Sequence, residues 1–381
     1  MRKLFRLFLQ KLPARHREID TNLHLLSQSE LAAIYWTQWT SVLVATLLSV
    51  LGFVALYLPF YQFPEWFQTI ELRVPYYGVY ALPWVFNLYS LILMVAEIYT
   101  LTMLHIYTVY RLACITGYLT ADDLRDDLNG DALRLTTVLD VGLEVKNKAQ
   151  IEYGIDPFQG MSVSVIFLAN SLLRLRGLLS SIVIKWVVGR WLGLSTLRAI
   201  MDFSVMPLYM LLNGYGTYLL LREARVVIMG QHLIERVLQA IDFPFFKNNY
   251  HADYLSEILY DTLQFVAVQK RDYHSNHYIL AKLLLEKFDI QPRKTHILRE
   301  NYLEILEKSP ERLRNLCILI LHLGFLLDGS FSFREKAKVV NMHRRGIITE
   351  NVADVSSYLR SFLRGEGMTG LIEKYIKIHH T

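Results

Sequence analysis

The sequence predicts an all-α chain, a multi-spanning helical membrane protein of about four crossings that ends in a soluble helical domain. Three observations predict it. Hydrophobic residues make up 53% of the chain and mean hydropathy is +0.25, above an ordinary soluble domain. Charged residues still reach 20%, too many for a chain wholly in lipid, so two kinds of region share the 381 residues. Long apolar runs end near residue 225, and beyond it apolar residues recur at helical spacing.

Residues 1–35 read as a basic cytosolic segment. Met1 to Arg17 holds six basic and no acidic residues, with Leu4, Phe5, Leu7, Phe8 and Leu9 among the charges. Arg6 breaks the apolar stretch, which argues against a secretory signal. An amphipathic helix on an anionic membrane surface, a plain topology-setting flank and a mitochondrial presequence all fit this composition.

Residues 36–110 form the first transmembrane pair. Thr40 to Phe60 carries no charge and is long enough at ~1.5 Å per residue to cover a ~30 Å hydrocarbon core. Tyr35, Trp36 and Trp39 flank its start while Tyr57, Tyr61 and Trp66 flank its end, as two aromatic belts should. Gln62 to Leu82 has one basic residue, Arg73, so the positive-inside rule puts the N-terminus in the cytosol of a plasma or inner membrane. The second crossing is expected from about Pro83 to Tyr107. Glu97 interrupts it, and an acid there costs ~2.5 to 3.5 kcal/mol if it faces lipid, so it needs a partner, a cavity or an ion path. Pairing with a neighbouring helix is preferred over transport.

Residues 111–160, with nine acidic and five basic residues, read as an acidic cytosolic loop with helical content. Its aspartates do not fit an EF-hand, because placing Gly130 at the invariant glycine puts Arg125 at the first ligand position. Residues 161–225 are the second membrane region. Ala199 to Leu221 reads as a crossing kinked at Pro207, with Asp202 near one end. Before it, Arg174, Arg176, Lys185 and Arg190 punctuate an apolar stretch without the three-residue order of a voltage sensor. A further crossing at Gly177 to Ser195 makes four in all. The alternative is an interfacial helix whose Arg174, Arg176 and Arg190 bind lipid headgroups, leaving three. Lys185 joins Glu97 and Asp202 as a polar candidate within the membrane.

Residues 226–381 read as the soluble helical domain. Leu326-Leu327-Asp328-Gly329-Ser330-Phe331-Ser332-Phe333-Arg334-Glu335 is a helix end, an Asp-Gly turn and a new helix capped by Ser332 with Glu335 at its third position. This arrangement resembles the repeated unit of the tellurite-resistance TerB-like fold. A weaker copy runs from Leu263 to Ile290, in which Tyr273 of Arg271-Asp272-Tyr273 replaces the glycine and no acid stands where Glu335 would. The resemblance covers about a third of the chain. It implies a compact helical module of stress response and membrane-linked assemblies, with a divalent metal at Asp328 and Glu335 as the one cofactor to consider. A turn and a capping box explain the same two residues without metal.

No P-loop, GxSxG, HExxH or dinucleotide motif is present, which argues against an enzyme. His274 and His277 share a helical spacing but read as a solvated loop pair. A net charge of +5 without a basic, aromatic-interleaved patch disfavours nucleic acid. The expected partners are the lipid bilayer and a protein at the cytosolic domain. The favoured function is a membrane-anchored interaction or stress-response protein, and the alternative is a channel or transporter component using Glu97 and Asp202.

Overall fold

A computed structural model of the protein describes residues 26–74, 78–82, 84–119, 153–157, 159, 198–271, 274–366 and 368–376. Three long helices come first. Helix α1 spans Gln28–Gln62, α2 spans Trp84–Ile115 and α3 spans Arg198–Ala240. Eight shorter helices follow: α4 Phe243–Asn249, α5 Ala252–Lys270, α6 Ser275–Lys287, α7 Tyr302–Lys308, α8 Glu311–Leu326, α9 Phe333–Arg344, α10 Val352–Leu363 and α11 Thr369–Tyr375. The helical expectation holds among the described residues, with one addition. An antiparallel hairpin, β1 Ile70–Val74 paired with β2 Gly78–Leu82, joins α1 to α2.

Helix α1 begins twelve residues before the uncharged run because Ser27 and Glu30 close a capping box. The Ser27 hydroxyl accepts from the Glu30 amide at 3.3 Å, and the Glu30 carboxylate accepts from the Ser27 amide at 2.7 Å. At ~1.5 Å per residue its 35 residues reach about 52 Å, longer than a ~30 Å apolar core. Between Ile34 and Phe53, which are buried at its two ends, the buried side of α1 is small and polar: Thr37, Gln38, Ser41, Ala45 and Ser49. Its exposed side is Leu43, Val44, Leu47, Leu51, Val54 and Leu58. Helix α2 likewise exposes Leu88, Leu91, Ile92 and Val95. Both helices are long and apolar enough to cross a membrane, and only 22% and 17% of their most apolar stretches are buried. The core helix of a water-soluble protein has the opposite distribution.

Polar contacts set the directions of the three helices. Gln38 reaches the Leu221 carbonyl at 3.3 Å, and Ser49 meets Asn213, so α1 and α3 run antiparallel. Ser41 bonds Thr108 at 2.8 Å and Tyr89 donates to the Ala55 carbonyl at 2.8 Å, so α1 and α2 are antiparallel as well. Helices α2 and α3 are therefore parallel. Gly214 permits the close approach of α1, since a Cβ there would stand 2.6 Å from the Thr46 hydroxyl.

The domain boundary expected at 226 falls inside α3, which continues unbroken to Ala240. What changes is the buried face, because Val226, Ile228, Met229, Leu233, Ile234 and Val237 enter the main core. That core centres on α8, buried on all sides from Leu316 to Leu326 and packed on α5. Parts of the expected 111–160 loop also join it. Tyr118 bonds Gln231, and residues 153–159 are stitched to the domain. The Gly154 carbonyl accepts from the His296 amide at 2.8 Å, and Gln264 exchanges two hydrogen bonds with the Asp156 backbone. Leu26, just before α1, donates to the Gly365 carbonyl at 3.1 Å. The start of α1, the end of α2 and the second half of α3 thus all meet the same domain.

Candidate functional site: two polar clusters

The long helices hold the first cluster. Glu97 of α2 accepts from the Asn213 amide of α3 at 2.6 Å, and that amide lies 2.5 Å from the Ser49 hydroxyl of α1. Asn213 and Ser49 are buried. One amide thus ties three helices together, and the Glu97 carboxylate has a polar partner on a neighbouring helix. One turn nearer the domain, His105 bonds Thr217 at 3.0 Å. Asp202 lies within α3, but its side chain is outside the described residues, as are Arg174, Arg176, Lys185 and Arg190.

The second cluster lies in the domain, where Asp328 and Glu335 are brought together as expected around a partner not foreseen. Lys270, at the end of α5, places its ammonium 2.7 Å from Asp328 and 2.6 Å from Glu335. The same nitrogen donates to the Phe325 carbonyl at 2.7 Å and the Ser330 carbonyl at 3.0 Å. Lys270 and Glu335 are almost fully buried, at 3% and 0% exposure of their side chains. The Ser332–Glu335 capping box forms, its hydroxyl and carboxylate each bonded to the other residue's amide. A side-chain cation therefore occupies the place between the two acids. No group of three or more metal-binding side chains occurs among the described residues.

Burial pushes both carboxyl groups up, with different outcomes. At Asp328 the Lys270 ammonium, His277 and the Ser330 hydrogen bond outweigh burial and hold the group below its ordinary value. At Glu335 burial prevails over Lys270 and the Ser332 contacts, so the group lies above it. His277 is no solvated loop residue. Its Nε2 lies 2.6 Å from the Gly324 carbonyl, and burial first, then Lys270 and His274, push its pKa down to about 3 despite Asp328. The ring is neutral at physiological pH.

Two turns of the domain share one backbone feature. Arg271 after α5 is left-handed (φ 53°), as is Gly329 (φ 70°) after α8, and the Tyr273 expected in the place of the glycine lies outside the described residues. Three residues beyond each stands a helix N-cap, His274 in one copy and Ser332 in the other. Counted this way, Lys270 takes the place of Asp328 and His277 that of Glu335. Lys270 thus pairs with both acids of the second turn, while the neutral His277 lies beside Asp328. The glycine is needed at position 329, because a Cβ there would come within 2.7 Å of Val226 as well as straining φ.

No family model, curated protein or solved structure matches the chain, so functional argument rests on this geometry.

Proposed function

We propose that the chain is a membrane-anchored interaction protein in which a helical bundle holds a TerB-like domain against the cytosolic face of a plasma or inner membrane. The inverted polarity of the middle of α1 carries this reading, since Leu43, Val44, Leu47 and Leu51 face outward while Thr37, Gln38, Ser41 and Ser49 face inward. Water penalises that arrangement and lipid favours it. Exposed Trp36 (70%) and Trp39 (63%) mark the domain-side end and Trp66 (61%) the other, about one bilayer apart.

The parallel course of α2 and α3 supports four crossings over three. Gln159 is held on the domain side by Gln264, whereas α3 starts at the opposite end of the bundle, so the chain changes sides between them. The crossing expected at Gly177 to Ser195 lies outside the described residues. Four crossings also agree with Leu26 and the C-terminal domain lying together.

Single cysteines at Ser29, Glu65 and Lys308, labelled with an impermeant reagent in oriented vesicles, test the topology. Ser29 and Lys308 should react from one side and Glu65 from the other. Reaction of all three from one side contradicts the anchor.

The Glu97–Asn213–Ser49 contact favours a second reading, a channel or transporter component. Ion or proton flux into liposomes that Glu97→Gln abolishes would support it, while equal flux from both proteins would leave Glu97 as a helix clamp.

A further inference from the structure

The domain carries a basic cavity that neither polar cluster uses. It has a volume of about 300 Å3 and lies between the last turn of α5 and the first turns of α9, lined by Val268, Gln269, Arg271, Arg334 and Lys338. Among the described residues three cations and no acid line it. Two carbonyls fix the Arg271 guanidinium from behind, Pro157 at 3.1 Å and Gln159 at 2.8 Å, while its buried Nε has no hydrogen-bond partner. Burial, and then repulsion from Arg334, holds the Arg271 pKa below its ordinary value. Lys338 lies 6.0 Å from the Phe265 ring, and neither it nor Arg334 makes an ion pair among the described residues. Such a site suits an anion with several acceptor oxygens.

Its position limits which anion that is. Both repeat turns abut Val226: Asn276, after the first, donates to its carbonyl at 3.0 Å, and Gly329, in the second, lies against its side chain. Arg225, the preceding residue, stacks over Tyr35 at 5.1 Å, beside the belt residue Trp36. Val226 is five residues beyond Leu221, which is level with Gln38, and therefore about 7 Å further from the apolar core, at headgroup depth. Phe333, the neighbour of Arg334, is 87% exposed at this same end of the domain. An exposed aromatic ring beside cations is an interfacial anchor.

We propose that this cavity binds the phosphate of an anionic phospholipid on the domain side of the bilayer, with Phe333 entering the acyl boundary. The proposal rests on the membrane-anchored reading. Arg271 is the fixed base of the site, and Arg334 and Lys338 close on the phosphate from the helix above.

The test uses the full chain in nanodiscs of phosphatidylcholine with phosphatidylglycerol, and native mass spectrometry of the lipids it retains. Wild type should retain phosphatidylglycerol in preference to phosphatidylcholine. Arg334→Gln with Lys338→Gln should lose that preference about tenfold, since each cation near an anionic surface contributes several-fold to binding. A charge-matched control, Lys287→Gln with Lys308→Gln, should retain it. Phe333→Ser should weaken it less than the double change. Added inorganic phosphate should not displace the lipid. Equal retention by wild type and the cavity variant, or equal loss in the control, overturns the site. Displacement by inorganic phosphate assigns the cavity to a soluble anion and overturns the lipid. A chain that does not enter nanodiscs contradicts the membrane reading itself, a result distinct from any of these.

Discussion

The long-helix bundle and the C-terminal domain bury opposite chemistries. In α1, between Ile34 and Phe53, the interior is Thr37, Gln38, Ser41, Ala45 and Ser49, and the exterior is mostly leucine and valine. In α8 the interior is leucine, isoleucine and phenylalanine, and Glu311 and Arg312 at its start face outward. Each is helical and each is apolar on average, so composition alone does not separate them. The direction of the apolar face does. It indicates which solvent each region meets, with α3 passing from one regime to the other within a single helix.

Dividing α3 should break this arrangement most severely. A fragment of residues 240–381 lacks Val226, Ile228, Met229, Leu233, Ile234 and Val237, all buried in the common core. At ~1.5–3 kcal/mol for each buried side chain, their loss is comparable with the whole ~5–15 kcal/mol stability of a domain. The fragment should show no cooperative melt by circular dichroism. A sharp transition would mean that the domain does not depend on α3.

The next effect belongs to the buried charge cluster. Lys270→Met leaves Asp328 and Glu335 together without their cation and should destabilise the domain by ~3–5 kcal/mol in equilibrium unfolding of the full chain. A change below about 1 kcal/mol would show that the cluster carries little of the domain's stability.

Titration of His277 gives a smaller effect with a definite sign. Its pKa is lowered when folded, to about 3, from the ordinary ~6.5, so the unfolded chain takes up the proton more readily. This contribution to stability is complete above pH ~6.5 and declines as pH falls toward the folded value, by ~2 kcal/mol between pH 7 and 5. His322, lowered by burial, acts in the same direction. His277→Gln keeps a donor for the Gly324 carbonyl and should flatten the pH dependence of the melting temperature; an unchanged slope would rule out His277 as its source.

The smallest effect should come from the bundle. Asn213→Ala removes the contacts to Glu97 and Ser49, yet hydrogen bonds between membrane helices average only ~0.6 kcal/mol. Its effect on unfolding in detergent should be well below that of Lys270→Met. Equal losses would remove the distinction between the two regions.

Local features of this architecture were legible in the sequence, and distant ones were not. The uncharged run and its flanking Trp and Tyr residues announced the first helix, and Ser332 with Glu335 announced a cap that forms as expected. Ser27 and Glu30 carried the same capping signal for α1, but it stood outside the apolar window that drew attention. The hairpin at residues 70–82 was obscured because its aromatic residues also suit a membrane boundary. Lys270 lies 58 residues from Asp328, and Asn213 lies 116 from Glu97, distances at which helical periodicity says nothing. The repeat register depended on φ at Arg271, since a left-handed arginine leaves no mark on the residue pattern as a glycine does.

The central claim is that the outward leucines of α1 and α2 face lipid. Spin labels placed one at a time at Leu47, Leu51, Leu91 and Val95 of the full chain in nanodiscs, with Ile297 of the domain as reference, report it through collisions with oxygen and with a water-soluble nickel chelate. These positions are 50–63% exposed and Ile297 is 77% exposed, so all five labels are open to their surroundings. The four helix labels should collide freely with oxygen and little with nickel, and the Ile297 label should do the reverse. Strong nickel collisions at Leu47 and Leu91 would put these faces in water or against an aqueous cavity and would contradict the account.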